Sequence, residues 1–131
     1  MIDISKVYSA SLNSEIVQEL VEKDISQIED KRVLANIRKL IVAPKCEMRP
    51  WDYGPVGQEF PCWIVLVHPP SNTSIAYCRE GFGPYSPWGL LFSAGDHMSI
   101  GMDSAWFSRL EDAFWESKAW GKEKPAGYEV Q

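Results

Sequence analysis

The sequence lacks any apolar run able to cross a bilayer. Its most apolar stretch, Trp63 to Val67, falls far short of the ~20 residues a spanning helix needs. The opening MIDISKVYSA has no apolar stretch behind a basic start, so no signal peptide is expected and a membrane is not an expected partner. Close pairs of metal ligands are also missing. Neither CxxC nor HxxxH occurs, and with two histidines and three cysteines neither a metal site nor a cofactor is expected. The odd set Cys46, Cys62 and Cys78 closes no disulfide framework, which points to free thiols in a reducing cytoplasm. Positive charge is scarce: 13 Lys and Arg stand against 18 Asp and Glu, for a formal net charge of −5. Such a surface repels phosphate backbones, so nucleic acid is not an expected partner.

Where positive charge does occur, it is concentrated. Lys31, Arg32, Arg38, Lys39, Lys45 and Arg49 gather within residues 31–49 against Glu47 alone, and read as a solvated helix face. The 131 residues suit one domain, with residues 1–120 as the fold and the polar 121–131 as a tail outside it. Aromatic residues are plentiful, with six Trp, five Tyr and five Phe. They supply burial area inside a fold and anchors outside it.

Hydrophobic spacing predicts two opening helices. Ile16, Val17, Leu20 and Val21 recur at helical intervals over 13–24, with Glu15, Glu19 and Glu22 outside. Ser26 and Glu29 have capping-box spacing for a second helix running to about Ile41, whose buried stripe is Val33, Leu34, Ile37, Leu40 and Ile41. Pro44 stops it. The segment 62–68 reads as a strand buried on both faces, PPSN turns the chain, and 73–80 returns as its partner. Trp88–Ser93 and 97–101 are further short strands. Asp103 is the expected N-cap of a last helix over 104–119, with Trp106, Phe107, Leu110, Ala113 and Phe114 inside and Arg109, Glu111, Asp112 and Glu116 outside. The fold class is therefore α+β: two N-terminal helices, a small antiparallel sheet with long Pro/Gly/aromatic loops, and one C-terminal helix.

No coherent catalytic set emerges, and no catalytic residue is assigned. GFGPYS at 81–86 imitates a dinucleotide loop, but Pro84 removes an N–H, Ser86 replaces the third glycine, and Pro87 follows where a helix should begin. A Cys78–His68 pair fails on distance. In a hairpin with a four-residue loop, His68 faces Thr73 and Cys78 faces Trp63, about 16 Å away at ~3.3 Å per residue. His97 could still approach Cys78 from a later segment. An alternative pocket among the 49–60 and 81–103 loops would draw on Cys78, Glu80 and His97, and with it the chain would be a small enzyme or ligand-binding domain.

Three stretches share a different logic. RPWDYG, FPCW and GFGPYSPWG set rings beside Pro or Gly, where proline restricts φ and glycine permits tight turns. Loops of this kind hold rings in place at low entropic cost. Phe60, Trp63, Phe82 and Trp88 are expected to fill the interior, with Trp51, Tyr53 and Tyr85 at the rim. The partner-binding set is Trp51, Asp52, Tyr53, Tyr85 and Trp88. Self-association through surplus rings, giving a homo-oligomer, is a further reading.

The segments PWDYG, FPCW, YCREGFGPYSPWG and GMDSAWFSRLEDAF, over about residues 50–117, resemble small stand-alone bacterial proteins of unassigned role. In size, acidity and layout the chain is also similar to the immunity proteins that neutralise secreted bacterial toxins. This second resemblance implies a cytoplasmic, non-enzymatic inhibitor that masks a toxin's active site, with acidity suited to a basic partner. It assigns no residue a role.

Overall fold

The computed structural model describes residues 12–95, 98–101 and 104–120. Helix α1 spans Ser14–Ile25. The Asn13 side chain caps it by accepting the Ile16 N–H at 2.8 Å, and Val17, Val21 and Ile25 bury one stripe. Ser26 does not open the second helix. Its hydroxyl donates to the Lys23 carbonyl and ends the first one. Asp30 is the cap instead, its carboxylate accepting N–H groups of Arg32 and Val33 at the start of α2, Lys31–Leu40. The intervening turn buries Ile28, which a continuous helix from Ser26 would not.

The chain then enters a strand that its prolines disguise. Strand β1 spans Ile41–Pro50 and holds both Pro44 and Pro50. It forms one edge of the sheet, where a missing N–H can face away from the ladder. Strands β2 (Glu59–His68), β3 (Thr73–Tyr77), β4 (Trp88–Phe92) and β5 (Ala105–Phe107) follow in spatial order β1-β2-β3-β4-β5, every pair antiparallel. A 3₁₀ turn at Pro69–Ser71, closed by Asn72 at φ 54°, makes the β2–β3 hairpin and sets His68 opposite Thr73 as expected. Farther along, the register slips by one residue between Ile64 and Leu66. Trp63 therefore faces Tyr77 and not Cys78.

The last helix is shorter than expected. Residues 105–107 are a strand, and α3 spans Leu110–Glu116. Trp106 and Phe107 alternate across the sheet instead of sharing a helical stripe, Phe107 packing towards the helices and Trp106 away from them. Asp103, the expected cap, lies outside the described residues. Arg109 occupies the N-cap but its side chain does not cap the helix, and Asp24 of α1 reaches across to accept the Leu110 N–H at 3.1 Å. Glu111 and Asp112 are buried, not outward. Asp112 lies fully inside, gripped by the Arg109 guanidinium at 2.8 and 3.2 Å.

The sheet therefore has two unlike faces. The three helices cover one, around Val17, Val33, Ile37, Leu66, Tyr77 and Phe114. Over the other, Cys62, Ile64, Ala76, Cys78, Leu91 and Ile100 are covered by connecting segments and their rings. Within the described residues, this is the expected α+β arrangement, two helices before the sheet and one after it.

Candidate aromatic docking face

The covering segments are held by backbone bonds. Trp51 N–H donates to the Gln58 carbonyl at 2.9 Å and closes the β1–β2 loop. Ile100 N–H donates to Pro50 at 2.8 Å and Asp52 N–H to Ile100 at 3.0 Å, a short parallel bridge between distant parts of the chain. Arg49 secures the same junction from beneath. Its side chain is only 1% exposed, and it donates to the carbonyls of Phe92 at 2.8 Å and Met98 at 3.2 Å. Glu47, two residues earlier on the same strand face, forms an ion pair with it at 2.5 Å. Of the basic cluster, Lys31, Arg32, Arg38, Lys39 and Lys45 are exposed, but Arg49 is not a solvated charge.

On this base the rings form one connected group. Trp51 is half-buried and acts as the hub, edge-on to Tyr53 at 5.1 Å and Phe82 at 5.2 Å and tilted against Phe60 at 5.5 Å. Tyr53 and Phe82 meet at 6.2 Å, and Phe82 continues to Trp106 at 5.9 Å. These separations are those at which ring edges meet ring faces. Tyr53 is 59% exposed, Phe82 42%, and Tyr85, on the same β3–β4 loop as Phe82, 87%. Trp106 crosses the sheet directly above Gly89, where a Cβ would stand 2.5 Å from the indole. Its ring N–H donates to Ser104 at 2.7 Å. Gly101 has φ +128° beneath Asp52, which any side chain would strike.

The predicted partner-binding residues divide. Trp51, Asp52 and Tyr53 come together at one junction, where the Asp52 carboxylate accepts the Ser99 hydroxyl at 3.1 Å. Tyr85 is exposed on the neighbouring loop. Trp88 does not belong with them: it is 3% exposed and packs on Tyr77 at 5.0 Å among the helices, because it begins a strand with its side chain on the opposite face. Phe82, expected inside, is part of the exposed group. Phe60 and Trp63 are half-buried, less enclosed than expected.

The alternative pocket is only partly described. The Cys78 thiol is fully buried 3.8 Å from the Glu80 carboxylate, which is itself held by Arg79 at 3.0 Å. His97 lies outside the described residues. Among the described residues, no group of three His, Cys, Asp or Glu could hold a metal ion, and no helix is long and apolar enough to cross a membrane.

Sequence patterning missed a carboxylate cluster between α1 and α3. Asp24 borders a hollow of about 310 Å³ with Tyr77, Trp88 and Arg109. Burial raises the Asp24 pKa against the lowering effect of the Leu110 N–H, the Trp88 indole and Arg109, while the nearby Asp112 charge raises it further. Glu111 is raised as well, again chiefly by burial. Asp24 could not be singled out from the other acidic residues of α1, because its partners lie more than sixty residues away. No protein-family model, curated protein or solved structure matches the chain.

Proposed function

We propose that the chain is a non-enzymatic protein-binding module that docks a partner on the loop-covered face of its sheet, with Tyr53, Phe82 and Tyr85 as anchors and Trp51 as their support. The reading rests on one observation: Tyr53 and Phe82 are exposed to solvent yet fixed by contacts with each other and with Trp51, and Tyr85 stands exposed on the Phe82 loop, which is bonded at its root. Such rings present large contact area with little motion left to lose on binding. Residues 50–60 and 80–101, which carry the rings, contain no Lys or Arg, whereas Asp52, Glu59 and Glu80 stand exposed within them. A basic partner surface complements this face. The partner class proposed is accordingly a basic protein domain, in keeping with the resemblance to cytoplasmic immunity proteins that mask a toxin's active site.

Quantitative co-purification from the native host tests the reading. Tyr53→Ala, Phe82→Ser and Tyr85→Ala should each deplete the same partner by tenfold or more, while Glu19→Ala on α1 leaves it bound. Association should also slow as salt is raised. Recovery of the same proteins by every variant overturns the proposal. Sedimentation of the purified chain as a dimer that Phe82→Ser dissolves would reassign the face to self-association.

A further inference from the structure

The one-residue slip in the β2–β3 register has a chemical consequence. The β2–β3 ladder ends with Trp63 facing Tyr77, so one step beyond it the same register brings Cys62 and Cys78 opposite each other, while the Cys78 N–H, bonded to the Pro87 carbonyl, holds Cys78 in line with β4 on its other side. Both side chains lie buried together on the loop-covered face. Directly opposed residues of antiparallel strands have Cα atoms about 4.5–5.5 Å apart, within the 4.4–6.8 Å or so that a disulfide spans. The two thiols are near enough to shift each other's pKa in opposite directions. All three cysteines are free thiols.

We propose that Cys62 and Cys78 are a redox-active dithiol, converted by a peroxide into a cross-strand disulfide that ties the root of the 78–87 loop to β2.

The two sulfurs are not equivalent. Cys78 is the nucleophile: the Cys62 thiol and the backbone N–H groups of Gly81 and Glu80 hold its pKa below the ordinary thiol value, against burial and the Glu80 charge. Cys62 keeps its proton, its pKa pushed far up by donating to Cys78 and by burial. Cys46 is exposed, but burial of its charge and the nearby Glu80 and Cys78 raise its pKa, which leaves it a weak competitor. Gly81 covers the Cys78 sulfur from the loop side: a Cβ there would stand 3.9 Å from Sγ, 3.4 Å from Ile100 and 3.7 Å from Trp51, so a peroxide reaches the sulfur beside these two side chains.

The steps balance. The Cys78 thiolate attacks one peroxide oxygen, the O–O bond breaks, hydroxide leaves, and Cys78 becomes a sulfenic acid. The negative charge that held the Cys62 proton is then gone. The Cys62 sulfur attacks the sulfenic sulfur, the S–O bond breaks, and the hydroxyl leaves with the thiol proton as water. Two sulfurs are oxidised and one peroxide is reduced. An external dithiol reverses the change.

Hydrogen peroxide applied to the folded, full-length chain tests this, with thiol titration, intact mass and non-reducing peptide mapping as readouts. Two of the three thiols should disappear, the mass should fall by two hydrogens, and one cross-linked peptide should join Cys62 to Cys78. The pair should react faster than Cys46, because the Cys78 pKa is lowered and the Cys46 pKa raised. Cys62→Ser should stop at a dimedone-trappable sulfenic acid on Cys78, with circular dichroism confirming that it folds. Cys46→Ser, on an exposed edge, should form the disulfide as the native chain does. Preferential oxidation of Cys46, or a Cys62–Cys78 bond that forms only in denaturant, overturns the assignment. Neither readout depends on a binding partner, so the result stands apart from the docking proposal.

Discussion

At Gly89 a single hydrogen decides whether an indole can cross the sheet. The Trp106 ring lies flat over this position, and a Cβ would stand 2.5 to 2.6 Å from three of its carbons. The ring cannot simply move aside, because its N–H is bonded to Ser104 and its other flank packs on Phe82. Gly89→Val should therefore destabilise the fold by about 1–3 kcal/mol through overpacking, with Gly89→Ala at the lower end. Urea denaturation followed by tryptophan fluorescence measures the loss, and a shift in near-ultraviolet circular dichroism reports the displaced indole. A glycine inside a strand does hint at close approach, but nothing nearby names the group above it. Arg49 is equally opaque: the other basic residues of 31–49 are exposed, and the carbonyls that draw it inside belong to residues 92 and 98.

Elements were legible where one period governed them. Helices α1 and α2 announce themselves because Val17, Val21 and Ile25, then Val33 and Ile37, recur every four residues. The β2–β3 hairpin is readable from its PPSN turn, but the slip between Ile64 and Leu66 is not, since no Gly or Pro marks it. Strand β1 was hidden by Pro44 and Pro50, which only an edge position tolerates. At 105–114 two periods overlap, and Trp106 and Phe107 continue a helical stripe by coincidence. Helix α3 depends on a cap borrowed from α1, and that dependence makes a pH prediction. The folded Asp24 carboxyl has a raised pKa, mainly through burial, and so does Glu111. From the ordinary carboxylate pKa up to these raised values the native state binds more protons than the unfolded chain, so stability falls as pH rises through that window. Glu22 and Asp30 are lowered, chiefly by hydrogen bonds from Arg38 and Arg32, and act in the opposite sense below it, but they are surface pairs of small weight. Asp24→Asn should flatten the decline that begins at the ordinary carboxylate pKa of about 4 and continues as pH rises. Asp24→Ala, which also removes the acceptor for Leu110, should destabilise by about 1 kcal/mol even at the acid end. Urea midpoints across that range measure both, and an unchanged pH slope in the Asn variant would deny Asp24 this role.

At the scale of the whole molecule, helices close one face of the sheet and rings close the other, and the second closure leaves Tyr53, Phe82 and Tyr85 in solvent. Proline and glycine told the sequence reader that Trp51, Tyr53 and Tyr85 belong to turns, but could not rank their exposure. That ranking depends on residues 98–101 crossing back to Pro50 and Asp52, a contact that no local period encodes. If the face exists to bind and not merely to close the core, stability and binding must separate across its rings. Trp51, the hub touching Tyr53, Phe60 and Phe82, is structural as well, and Trp51→Ala should lower stability by about 3 kcal/mol or more. Tyr53→Ser and Phe82→Ser remove groups that stand partly in water and should change the urea midpoint by much less than Trp51→Ala does. The same two variants should nevertheless abolish partner capture. A stability loss at Phe82 equal to that at Trp51 would identify the ring as core, and the loop-covered face would then be a closure with no docking role.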